Sequence, residues 1–204
     1  MQALALSLTL CALQLWPAAL GGPQHQRFVV LEKDRPMKLS KLQRFEWANC
    51  GPPSNPAVIR SLSVSPDPIS IPGDVTVSAS AATSVNLVSP LMGNVTLEKR
   101  LGEMWLKIPC VDNIGSCTYD DVCVILDSIA PPGQPCPEPL QTYGIPCRCP
   151  FRAGTYNLPP VGIFIPNVEL PPFFTNGDYR LKVVLSYGGQ QLSCSKLLFS
   201  LRAN

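Results

Sequence analysis

Histidine is almost missing from this chain: one residue in 204, His25, which stands near the N-terminus outside any apolar pattern. Its scarcity removes a Ser-His-Asp relay, a Cys-His thiol pair and a His-based catalytic zinc from the body of the chain. Charge is also thin. Only 15% of residues are charged, 16 Lys and Arg against 14 Asp and Glu, so the formal net charge of +2 is far below what a duplex-binding domain needs and nucleic acid is not an expected partner. With 46% hydrophobic residues the chain is no disordered polyelectrolyte either. Long helical stretches are lacking as well, because 23 prolines spread along the sequence leave few segments able to run three turns. A β-rich fold follows. There is no internal repeat and no CxxC pair of the kind that holds structural zinc, so no metal and no cofactor is expected.

Long apolar runs are confined to the N-terminus. From Ala3 to Leu15 only Ser7, Thr9 and Gln14 interrupt the run, and Trp16-Pro17-Ala18-Ala19-Leu20-Gly21-Gly22 then supplies a helix breaker and small residues. This pattern predicts a secretory signal over 1–21, shorter than the roughly 20 apolar residues that span a bilayer, and a soluble mature protein. Residues 22–44 form a basic arm with Arg27, Lys33, Arg35, Lys38, Lys41 and Arg44 against Glu32 and Asp34, without amphipathic period, expected to be flexible or processed. From Phe45 onward the balance reverses, to 10 basic and 12 acidic residues.

Of nine cysteines, Cys11 falls in the signal and eight remain, an even number in an oxidising compartment. Four disulfides are expected, although spacing alone leaves roughly a hundred pairings open. Cys147-Arg148-Cys149 is too tight to close on itself, so its two cysteines serve separate partners.

Short alternating runs bounded by turn residues recur: 58–64 before Pro66-Asp67-Pro68, then 69–71, 75–78, 84–88, 95–99 and 104–108. Tyr179, Leu181, Val183 and Leu185 alternate with polar residues up to Tyr187-Gly188-Gly189-Gln190, which turns the chain into 192–201 and makes the strongest hairpin signal. One helix is predicted where Val122, Ile125, Leu126 and Ile129 form a stripe behind Asp120-Asp121, ended by Pro131-Pro132-Gly133. The acidic pair is a helix cap rather than a catalytic dyad, since neighbouring residues on a helix point apart. The whole predicts an antiparallel β-sandwich or an open cup. Strand spacing alone also fits an immunoglobulin-like interaction module with a solid core.

Two apolar stretches stand out. The segment from Val161 to Gly177 carries Ile163, Phe164, Ile165, Val168, Leu170, Phe173 and Phe174 against one charge, Glu169, and is broken by glycine and proline. It is too broken for a core strand and too greasy for an exposed loop, which predicts a loop at the rim of an apolar cavity that dips into a membrane surface. Leu101-Gly102-Glu103-Met104-Trp105 is the second such loop, with Leu101, Met104 and Trp105 as its contacts. Asn94-Val95-Thr96 is an N-glycosylation acceptor, which predicts a glycan on Asn94.

Several longer motifs carry a resemblance. Phe45-Glu46-Trp47-Ala48-Asn49-Cys50, Pro56-Ala57-Val58-Ile59-Arg60-Ser61-Leu62, Trp105-Leu106-Lys107-Ile108-Pro109-Cys110, Ile114-Gly115-Ser116-Cys117-Thr118-Tyr119 and Tyr143-Gly144-Ile145-Pro146-Cys147-Arg148-Cys149-Pro150-Phe151 resemble the sphingolipid activators of the ML lipid-recognition domain family. The likeness runs from Phe45 to the end. It implies an all-β, immunoglobulin-like β-cup over 45–204 with an apolar lipid cavity, one short helix, and disulfides joining Cys50 to Cys194, Cys110 to Cys117, Cys123 to Cys149 and Cys136 to Cys147. It also implies a non-enzymatic role in the lysosome, reached through the secretory pathway with some protein secreted. There the protein would touch anionic membranes peripherally, extract GM2 ganglioside and related glycolipids, and present them to β-hexosaminidase A for removal of N-acetylgalactosamine.

Overall fold

The computed structural model describes residues 45–167 and 176–203. The signal stretch 1–21, the arm 22–44 and, in the greasy segment, Val168, Leu170, Phe173 and Phe174 lie outside the described residues.

Among the described residues the elements are β1 (Glu46–Asn49), β2 (Ala57–Ser65), β3 (Ile69–Ile71), β4 (Gly73–Thr83), β5 (Met92–Leu101), β6 (Met104–Lys107), β7 (Thr118–Tyr119), α1 (Val122–Ile129), β8 (Gly154–Ile165), β9 (Gly177–Tyr187) and β10 (Gln190–Ala203). They build two sheets. The larger has the order β1-β10-β9-β5-β6, with β3 added to β10 and β7 to β5; the smaller is β2-β4-β8. Every pairing is antiparallel except that of β3 with β10. The expected all-β antiparallel architecture with one short helix is present.

The β9–β10 hairpin closes through Gly188 and Gly189, both with positive φ (55° and 81°), the combination a type I′ turn needs to match strand twist. Two expectations are corrected. Residues 84–88 do not form a strand: only Leu87 bridges, to Phe151, because the Thr83 hydroxyl and the Pro56 carbonyl take the backbone groups of Val85 and Ser84 that a ladder would use. Residues 161–165 are not loop but the end of β8, whose interior prolines Pro159 and Pro160 are absorbed at a register shift on what is, among the described residues, the outer edge of the smaller sheet.

The four bridges are Cys50–Cys194, Cys110–Cys117, Cys123–Cys149 and Cys136–Cys147. The first closes a sequence separation of 144, worth about 4–5 kcal/mol of unfolded-chain entropy. Arg148, between two bridged cysteines, donates to the carbonyls of Ala130 (3.0 Å), Pro131 and Gln134 and so ties down the loop after α1. Asp121 is the N-cap of α1. Its carboxylate accepts from the N–H of Cys123 (2.9 Å), the N–H of Leu91 (3.0 Å) and the Ser89 hydroxyl, and these bonds, the Ser89 one foremost, hold its pKa below the usual carboxylate value. Asp121→Ala removes all three bonds and is expected to cost about 1–2 kcal/mol in chemical denaturation, more than a plain cap loss at the low end of its range.

A second carboxylate is arranged oppositely. Asp67, between Pro66 and Pro68, accepts the Ser200 N–H at Oδ1 (3.3 Å), while its Oδ2 is buried without a hydrogen-bond partner among the described residues. Burial pushes its pKa above 3.8 despite the lowering bonds from Ser200 and Phe45, and nearby Asp178 adds to the rise. The fold therefore favours the neutral form. Its contribution to stability is full below the unfolded value of 3.8 and is lost as pH rises through the raised folded value. In thermal melts against pH, Asp67→Asn is expected to gain on the wild type as pH rises through that window; a constant difference between the two would contradict this.

Candidate functional site

The inward faces of the two sheets follow from strand alternation. On β9, Tyr179, Leu181, Val183 and Leu185 share a face, with Phe199, Leu197, Ser195 and Ser193 of β10 opposite them in register and Val95 and Leu97 of β5 on the other flank. Facing them on the smaller sheet are Ala57 and Ile59 of β2, Ala81 and Thr83 of β4, and Tyr156 of β8. Between these two faces lies a cavity of about 520 Å³, walled also by Leu87, Ile145 and Phe151 from the connecting segments.

The void is a consequence of side-chain size. Sheets pack roughly 10 Å apart, and Ala57, Ala81, Ser193 and Ser195 are too short to reach across that gap. Large side chains meet only beyond it. Tyr179, fully buried and stacked on Phe199 at 5.6 Å between centroids, packs with Leu97, Ile108 and Leu201 in one cluster, and Leu91, Cys123 and Leu192 make another with Leu87 and Val122. In between, Leu181, Val183, Leu185 and Leu197 stay only half-buried although they point between two sheets.

The walls offer little polarity. The Thr83 hydroxyl donates to the Val85 carbonyl (2.7 Å) and the Tyr156 hydroxyl to the Arg152 carbonyl (2.6 Å), so both are satisfied by the protein itself. Burial raises the Tyr179 phenol to about 12, which keeps it neutral. Lys99 is the cation on this face: it stands in register between Leu106 and Tyr179, its Nζ lies 5.6 Å from the Tyr179 ring centroid, and burial lowers its pKa. The arrangement can hold a chain of hydrocarbon.

The predicted contact residues fall in three places. Leu101 (51% exposed) and Met104 (74%) sit at the β5–β6 hairpin tip, and Ile163 (37%), Phe164 (63%) and half-buried Ile165 end β8 on the other sheet. Trp105 is separated from its neighbours by alternation. It stands opposite Arg100 on the outer side of the larger sheet, half-buried, with the Arg180 guanidinium 4.7 Å from its ring centroid. Arg180 in turn donates to Glu98 at 2.6 Å. Leu106, 58% exposed on the side of Met104, escaped sequence reasoning although its spacing of two from Met104 marked it. The cavity wall escaped it too, since small residues in strands carry no apolar signal. Asn94 is exposed on β5, its amide donating to the Thr118 hydroxyl at 3.1 Å.

If the void is the working part, filling it should abolish uptake without unfolding the protein. Ala81→Phe is expected to weaken binding of a polarity-sensitive apolar fluorophore at least about tenfold, roughly 1.4 kcal/mol. Its melting temperature should stay within about 4–8 °C of the wild type, since the ring enters empty space rather than a packed core. Undiminished fluorophore binding would contradict the assignment.

The ML domain family profile matches residues 44–201. The chain is 53% identical over 164 residues to the ganglioside GM2 activator of Macaca fascicularis, covering 80% of this chain and 86% of that protein. It is 48% identical over 167 residues to that of Mus musculus, covering 82% and 86%. A Niemann-Pick type C2 protein from the Japanese carpenter ant superposes with a TM-score of 0.38 at 14% identity, over 77% of this chain and 99% of that one. The chain belongs to the ML domain family, among relatives named ganglioside GM2 activators.

Proposed function

We propose that this protein is a non-enzymatic lipid-binding activator that lifts GM2 ganglioside and related glycolipids out of lysosomal membranes and presents them to β-hexosaminidase A, which removes the N-acetylgalactosamine. The observation that carries this reading is the apolar void of about 520 Å³ between the sheets. Two relatives at about half identity bear the name of ganglioside GM2 activator, and the signal-like stretch and eight bridged cysteines favour the secretory route to the lysosome.

Physical chemistry makes such a carrier necessary. A ceramide has on the order of 30 methylenes, and at about 0.8 kcal/mol each its transfer from bilayer to water costs roughly 20–25 kcal/mol. A water-soluble hydrolase cannot wait for monomers at that penalty. A cavity walled by Leu181, Val183, Leu185 and Leu197 substitutes protein for lipid tails and leaves the oligosaccharide in water. Leu101, Met104, Leu106 and Phe164, exposed on strand ends, are the side chains that would enter the interfacial layer. The protein then needs no nucleophile of its own.

Vesicles carrying fluorescent GM2 ganglioside are expected to lose label to the purified protein at acidic pH, with sugar released only after β-hexosaminidase A is added. Label retained by the vesicles, or sugar release without the hydrolase, would overturn the proposal.

A further inference from the structure

The outer side of the larger sheet has a charge pattern that the cavity does not explain. Six of the ten basic residues from Phe45 onward alternate onto it: Arg100, Lys107, Arg180, Lys182, Lys196 and, at the far end of β10, Arg202. Three strand acids share the face, and Asp67 lies beside Ser200 and near Asp178 at its end. Glu98 is taken by Arg180, and Asp178 is buried, accepting from the Ser200 hydroxyl at 2.9 Å and lying 3.7 Å from Arg100. Glu46, at the β1 edge, is the exposed one.

At the centre, Lys182 of β9 and Lys196 of β10 are direct cross-strand partners, both exposed, and their row continues into uncharged Thr96 on one side and Ala48 on the other. Among the described residues neither has an ion-pair partner. Like charges directly opposite each other destabilise a sheet, so the pair is held at a cost that folding does not recover. Beside it runs a groove of about 340 Å³ bordered by Trp105, Arg180, Lys196, Leu198 and Ala48, with the exposed Glu46 at its β1 end. A cationic centre with an aromatic and aliphatic border is suited to a carboxylate-bearing protein surface.

We propose that this face, centred on Lys182 and Lys196, docks an acidic patch of the glycosidase that acts on the presented lipid; the assignment rests on the presentation role proposed above. Alternation along β6 is what favours a protein over a bilayer. Met104 and Leu106 point to the cavity side while Trp105 and Lys107 point outward, so a membrane touched by the first pair leaves the second in water. Lipid is taken up on one side of the sheet, and the enzyme is met on the other.

The experiment compares wild type, Lys182→Glu with Lys196→Glu, Lys182→Gln with Lys196→Gln, and Arg60→Glu, an exposed charge reversal on the smaller sheet. Each is assayed for ganglioside extraction from vesicles without enzyme and for sugar release with β-hexosaminidase A. All four should extract alike. The double Glu variant should need about tenfold more protein for half-maximal sugar release, the Gln pair an intermediate amount, and Arg60→Glu the wild-type amount. The Gln pair relieves a repulsion and so guards against a folding artefact. Equal sugar release by the double Glu variant and Arg60→Glu would overturn the docking face while leaving the carrier role intact. Weakened vesicle extraction by the lysine variants would place the lysines on a membrane and equally overturn it. Failure of wild type to extract at all would instead sink the carrier role.

Discussion

The structure depends on holding two apolar sheet faces apart. A void lined by leucine and valine normally invites collapse, because every missing contact forfeits dispersion and hydrophobic energy. Here the walls resist because each is a hydrogen-bonded ladder, β9 and β10 pairing from Gln190–Tyr187 to Leu201–Gly177 with one register shift between Gln191 and Ser193, and β4 pairing on both sides. Clusters of large side chains around Tyr179 and around Leu91 act as spacers beyond the small residues of the middle. The Cys50–Cys194 bridge pins β10 to the segment that leads from β1 toward the smaller sheet, and Cys123–Cys149 joins α1 to the segment carrying Phe151.

This arrangement divides labour along single strands. On β9 Leu181, Val183 and Leu185 wall the cavity, while Arg180 and Lys182 alternate with them onto the opposite, charged side. On β6 the same period of two sends Leu106 one way and Trp105 the other. A strand is an economical device for a carrier, since one residue of spacing separates a surface that meets lipid from a surface that meets water.

Much of this was legible in sequence because it is local. The Tyr187–Gln190 turn, the capping role of Asp121 and the impossibility of closing Cys147 on Cys149 each depend on neighbours within a few positions, and each stands in the structure. The void was not legible bottom-up. Ala57, Ala81, Ser193 and Ser195 come from distant stretches, and nothing local says that they face one another; the greasy segment and the strand pattern hinted at a cavity, and the resemblance to a lipid-binding family implied one, but neither located its walls. Trp105 was grouped with Met104 because composition ignores alternation, and 84–88 looked like a strand because side-chain bonds from Thr83 do not show in hydropathy.

The central claim is that hydrocarbon occupies the space between the sheets. Its most direct test is paramagnetic broadening of methyl resonances by a glycolipid carrying a spin label near the end of its acyl chain. The account predicts selective broadening of Leu181, Val183, Leu185 and Leu197, with the exposed Val124 of α1 unaffected. Broadening confined to Leu101, Met104 and Leu106, with the interior methyls sharp, would mean that the lipid binds outside and the cavity is not its site.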